Sequence, residues 1–201
     1  MSKKSRNTKG KIVSAAWELF YRQGYDDTTI DEIVEASGTS KGSFYHYFDS
    51  KDALLASLSY LFDEKYEELQ EKLDPDADSF ELLIYLNQQL FDMIDNKIDQ
   101  SLITKLYSTQ LAMQGEKSLL DSNRLYYRLL KQIVSAGQER GELRRDMTAN
   151  EIVRLYAMCE RALICEWCLY NHSFSLKSYS ERLLPMLLSE IREKNKKNFS
   201  Y

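Results

Sequence analysis

Turn-forming residues are scarce in this chain. Its 201 residues include only two prolines, Pro75 and Pro185, and seven glycines. A sheet protein of this length reverses direction many times and uses glycine and proline to do so. The scarcity therefore argues against most β architectures and for an all-α fold. The apolar residues agree. Ile12, Ala15, Ala16, Leu19 and Phe20 fall at i, i+3, i+4, i+7 and i+8, one face of a helix near 8–23 that Gly24 stops. A hydrophobic share of 43% and a charged share of 29% are those of a soluble globular chain. No apolar run approaches the roughly 18 residues of a membrane span, and MSKKSRNTKGK lacks the apolar core of a secretory signal. The expectation is a cytoplasmic protein whose three cysteines are reduced and whose Asn171 and Asn198 sequons carry no glycan.

Helix signals continue along the chain. Thr29-Ile30-Asp31-Glu32 reads as a capping box that opens a second helix, which Gly38 ends. Ser40 caps a third, Lys41 to about Phe48, with Phe44 and Phe48 four apart as its buried anchors. A fourth is expected over about 51–73, and Asp74-Pro75-Asp76-Ala77-Asp78 is a loop. Further helices are read near 79–96, 99–113 and 117–140. Thr148-Ala149-Asn150-Glu151 is a second capping box, opening a helix over 149–170. The last helix spans 176–194, and Pro185 should kink it.

Two short helices joined by Gly38-Thr39, the second polar on one face, form a helix-turn-helix. Such a helix can enter the major groove, where base edges present donors and acceptors. The net charge of −4 gives no global argument for nucleic acid. Locally, residues 1–51 carry eight basic and seven acidic side chains, and Lys3, Lys4, Arg6, Lys9 and Lys11 form a basic stretch free of acids.

Residues 9–62 resemble the DNA-binding domain of the TetR family of bacterial regulators. The resemblance rests on Ala15-Ala16-Trp17-Glu18-Leu19-Phe20, Gly24-Tyr25, Thr28 to Val34, Ser37 to Phe48, and Ser50-Lys51. It implies an all-α homodimer of about nine helices per subunit. A basic arm (1–8) and a three-helix helix-turn-helix domain would occupy 1–50, and a helical ligand-binding and dimerisation domain 51–201. Helices eight and nine would form the dimer interface. By position, Lys41, Ser43, Tyr45 and His46, with the cap Ser40 beside them, match the base-facing surface of the recognition helix. Thr29, Tyr47 and Lys51 match phosphate contacts. Asp31 departs from the pattern, since some relatives carry a basic contact there, and no base contact is assigned to it. The implied function is a ligand-responsive repressor on a near-palindromic operator. Some TetR-like proteins instead act as DNA-bound scaffolds in chromosome organisation or division.

The later helices carry large amphipathic side chains that could line an effector pocket: Tyr85, Phe91, Tyr107, Gln110, Met113, Tyr126, Tyr156 and Trp167. The resemblance places an unidentified small-molecule inducer among them. Cys165 and Cys168 have the C-x-x-C spacing of redox sites. They sit late in a helix with no strand before it, so buried structural thiols are the simpler reading and a thiol-redox protein the alternative. Two histidines, no glycine-rich phosphate loop, no H-E-x-x-H and no nucleophile elbow leave no enzyme signature. No cofactor and no metal are expected.

Overall fold

A computed structural model describes residues 3–112, 114 and 117–193, with side chains from residue 8 onward except residue 60. Ten α-helices are present among the described residues: α1 (Lys3–Gln23), α2 (Ile30–Ser37), α3 (Lys41–Tyr47), α4 (Lys51–Leu55), α5 (Leu58–Gln70), α6 (Ser79–Lys97), α7 (Gln100–Ala112), α8 (Leu125–Arg140), α9 (Ala149–Leu169) and α10 (Leu176–Leu187). They group into two compact units. One joins the chain up to Leu61 with Lys97–Leu120, and the other joins Phe62–Asn96 with the chain from Asp121 onward.

In the first unit α1, α2 and α3 pack on one another. Ile12, Ala16, Phe20, Ile33 and Phe44 are fully buried there, and Leu19 and Phe48 nearly so, as their helical spacing predicts. Gly38 takes φ 61, and its amide and that of Thr39 close α2 onto the carbonyls of Glu35 and Val34. Only a residue without Cβ adopts that left-handed turn cheaply, and it sets the angle between α2 and α3. α7 packs against α4 in the same unit.

Four boundaries differ from the sequence reading. α1 begins at Lys3 rather than near residue 8. The helix expected over 51–73 is divided at Ala56 and Ser57. There the backbone tightens to an i+3 bond from the Ser57 amide to the Leu54 carbonyl, 2.9 Å. Ser57 and Ser59 are both buried; the Ser59 hydroxyl bonds back to the Ala56 carbonyl at 2.7 Å, and Ser57 accepts from the Trp17 indole at 3.2 Å. Hydroxyls that compete for backbone in this way bend helices. The helix expected from 117 is a 3₁₀ turn at Ser118–Leu120, a turn, and then α8. The last helix keeps Pro185 but ends at Leu187, followed by a second 3₁₀ turn at Ser189–Ile191.

In the second unit three helix N-termini are capped by acids distant in sequence. Glu142 accepts from the Ser79 amide at the start of α6, 2.8 Å. Asp63 accepts from the Tyr126 amide at the start of α8, 3.3 Å, and holds Arg124 bidentately at 2.9 and 3.1 Å. Asp95 accepts from Leu176, Lys177 and the Ser175 hydroxyl at the start of α10. Each carboxylate satisfies amides that no helix can pair internally. α8 also approaches α6 closely at Gly137, where a Cβ would lie 2.6 Å from the Ser79 Cβ.

Candidate nucleic-acid interface

The surface of interest is built on α2 and α3. Thr29 caps α2 in a full capping box: its hydroxyl accepts from the Glu32 amide at 3.2 Å, and its own amide donates to the Glu32 carboxylate at 2.7 Å. Those bonds to the ionised form hold the Glu32 carboxyl below its usual range. Ser40 caps α3, accepting from the Ser43 amide at 3.1 Å. With Phe44 and Phe48 turned inward, Lys41, Tyr45 and His46 are exposed, and Ser43 and Tyr47 are half-buried. A 52% exposed tyrosine on a seven-residue helix is large apolar surface left in water. The Lys41 ammonium meets the Asp31 carboxylate at 2.7 Å across the α2–α3 turn, and that hydrogen bond raises the lysine's pKa.

Lys51 requires a correction. Its resemblance-based role is a phosphate contact, yet its ammonium donates to the carbonyls of Tyr25 (2.6 Å), Thr28 (2.7 Å) and Asp26 (3.3 Å). It also lies 4.3 Å from the centre of the Tyr25 ring. Burial lowers its pKa. An ammonium has three donors, and these carbonyls take them, so Lys51 is a clamp on the α1–α2 turn. Tyr25 in turn donates to Asp52, and Lys105 of α7 pairs with Asp26 at 3.3 Å. α1 starts at Lys3, so the basic stretch is helical from that residue, and the side chains of Lys3, Lys4 and Arg6 lie outside the described ones.

The residues read as an effector pocket do not share one unit. Tyr107 and Gln110 are buried in the first; Phe91, Tyr126, Tyr156 and Trp167 are buried in the second, where Tyr85 is partly exposed. Met113 lies outside the described residues. A surface cleft of about 500 Å³ is lined by none of them; Arg144, Arg145 and Arg192 border it. The buried rings in the second unit surround a polar layer that the sequence reading does not identify. Glu160 of α9, 4% exposed, accepts from Asn87 Nδ2 of α6 at 2.8 Å and from the Tyr126 hydroxyl of α8 at 2.6 Å. Asn87 accepts from Ser180 of α10, and the Tyr156 hydroxyl donates to the Leu83 carbonyl at 2.9 Å. Burial pushes the Glu160 carboxyl up. A signal for it does exist: Tyr156, Glu160, Leu163, Ile164 and Trp167 put an acid within an otherwise apolar stripe.

On α9 Cys159 is buried and Cys165 and Cys168 are half-buried, and burial pushes the Cys159 and Cys165 thiols up, away from the thiolate that thiol exchange needs.

Residues 12–58 match the family model described as bacterial regulatory proteins, tetR family, and residues 58–190 match that of the YsiA-like protein, C-terminal region. The chain belongs to the TetR family. This TetR-family protein is therefore a helix-turn-helix transcriptional regulator. It is 22% identical to the fatty acid metabolism regulator protein of Bacillus subtilis, over 92% of this chain and 95% of that protein. It is 28% identical to the HTH-type transcriptional regulator TtgR of Pseudomonas putida, over 94% and 93%. Among solved structures, Thermus thermophilus FadR, a TetR-family repressor in complex with lauroyl-CoA, superposes with a TM-score of 0.74 at 26% identity, covering 93% of this chain and 97% of that one. These relatives are named as regulators. No described helix is long and apolar enough to cross a membrane.

Proposed function

We propose that this TetR-family regulator is a ligand-responsive repressor, working as a homodimer in the cytoplasm. The α3 helices of the two copies would enter successive major grooves of a near-palindromic operator, about 34 Å apart. The observation that carries the reading is the sidedness of α3: Phe44 is buried, while Lys41, Tyr45 and His46 face solvent from a short helix that a groove can admit. Thr29, Ser40, Ser43 and Tyr47 flank them as phosphate or base contacts. Residues 1–50 would read DNA, and 51–201 would bind the effector and the second copy. The dimer face would fall on α9 and α10, the eighth and ninth helices of the sequence reading. Met158, Leu169, Met186 and Leu187 on those helices are at least half exposed, more large apolar surface than solvent favours.

For the effector we infer a long-chain acyl-CoA. Relatives named for fatty acid metabolism and solved with lauroyl-CoA support that class, and the apolar side chains of the second unit could repack around an acyl chain, with Tyr126, Tyr156 and Trp167 among them. A ligand releases DNA only through unequal affinity for the two conformations. The test is selection of duplexes from a random pool, followed by titration of the complex with lauroyl-CoA, free CoA and dodecanoate. Release by lauroyl-CoA alone is expected. Tyr45→Ala should lose the selected duplex while keeping its thermal transition. Failure to bind any duplex at low salt overturns the DNA reading, and a complex indifferent to lauroyl-CoA overturns the effector.

A further inference from the structure

We propose that Asp31 and Lys41 work as one unit that reads a single G·C base pair, the ammonium facing guanine and the carboxylate facing cytosine. The proposal rests on the reading that α3 enters the groove.

Placement comes first. Lys41 is the first residue of α3, and the N-terminal residues of a recognition helix are those that reach base edges. The Gly38 turn brings Asp31, ten positions earlier, to 2.7 Å from the Lys41 Nζ. Both side chains stay open to solvent, 68% and 61% exposed. Asp31 is not needed to cap α2, because Glu32 and Thr29 already close the capping box. An exposed pair of this kind holds weakly, so it can exchange partners when a duplex arrives.

The chemistry then selects a base pair. A carboxylate on a surface that must approach phosphates is repelled, unless it accepts a hydrogen bond from the duplex. The donors on major-groove edges are the amines of cytosine N4 and adenine N6. Lys41, beside it, needs an acceptor. A G·C pair sets guanine O6 and N7, two acceptors, next to the cytosine N4 donor. An A·T pair sets single acceptors, adenine N7 and thymine O4, on either side of its N6 donor, so the ammonium finds no two adjacent acceptors and the carboxylate meets an acceptor on both sides. The acceptor–donor couple at 2.7 Å is thus complementary to a G·C edge.

The test uses the full chain and its selected duplex. That operator is compared with versions altered one base pair at a time, for wild type, Asp31→Ala, Lys41→Ala and Tyr45→Ala, by fluorescence anisotropy. Wild type should prefer G·C over A·T by about tenfold at one position of each half-site. Asp31→Ala and Lys41→Ala should both lose that preference at the same position and keep their preferences elsewhere. The proposal is overturned if the two variants act at different positions, if neither changes a preference, or if Asp31→Ala tightens every duplex equally, which marks mere phosphate repulsion. Thermal melts of both variants should match wild type, since the pair is exposed. Should Tyr45→Ala and Lys41→Ala both bind the selected duplex like wild type, the placement of α3 in the groove fails, a result distinct from the failure of the pair.

Discussion

Lys51 and Glu160 each carry consequences out of proportion to one side chain. Removing the Lys51 ammonium takes a donor from the carbonyls of Tyr25, Asp26 and Thr28, of which the first keeps the Thr28 amide. Hydrogen bonds to charged groups contribute about 1.5–3 kcal/mol. Lys51→Ala should therefore lower stability by roughly 2 kcal/mol, read as an earlier urea midpoint, before any effect on DNA is considered. Glu160 acts through pH. Its carboxyl is raised by burial, so the folded state favours the protonated form. The stability this contributes is complete below the ordinary glutamate range, about 4.3, and is lost as pH rises through the raised folded value. Glu160→Gln removes that loss, because the Tyr126 hydroxyl can turn to accept from the amide. Melting temperatures of the variant and wild type should be close near pH 4 and separate in favour of the variant toward pH 8. A gap that does not change with pH would refute this. The partners of neither residue follow from its own neighbours in sequence. Lys51 sits 23 to 26 positions from its acceptors, and Glu160 sits 73 from Asn87.

At the scale of elements, caps made locally are legible and caps made at a distance are not. Thr29 with Glu32 and Thr148 with Glu151 are four-residue patterns, and both boxes form as read. α6, α8 and α10 receive their acids from Glu142, Asp63 and Asp95, which lie 63 to 81 positions away. No window of sequence holds both partners, which is why the sequence reading starts α8 too early. The α4–α5 division is hidden for a related reason: Ser57 turns its hydroxyl to Trp17, 40 positions distant. Close approach is equally invisible in sequence. A methyl group at Gly137 would stand 2.6 Å from the Ser79 Cβ and 2.9 Å from Leu143. Helix propensity alone would make Gly137→Ala stabilising. The crowding should reverse that sign and destabilise by about 1–3 kcal/mol, seen as a lower melting temperature with unchanged helical circular dichroism at room temperature.

For the whole molecule, the fold class, the helix-turn-helix and the outward face of α3 can be read directly, because 3.6-residue periodicity and the Gly38 turn are local properties. The grouping of helices cannot. α7, encoded after residue 96, packs with α4 and places Lys105 against Asp26 and Tyr25. Leu102, Ile103 and Leu106 are buried there along with Leu54 and Leu55. A fragment ending at residue 61 therefore leaves the α4 face in water. It should melt well below the full chain, or without a cooperative transition, when followed by circular dichroism; a fragment as stable as the parent would contradict the grouping.

The helix-turn-helix unit is thus stitched from two stretches of the gene. A single crossover near codon 60 would transplant the reading helix without its brace. Exchange of sensors between such regulators, by evolution or by an engineer, would have to move an interior stretch of coding sequence along with the leading one, or else refit the seam between them.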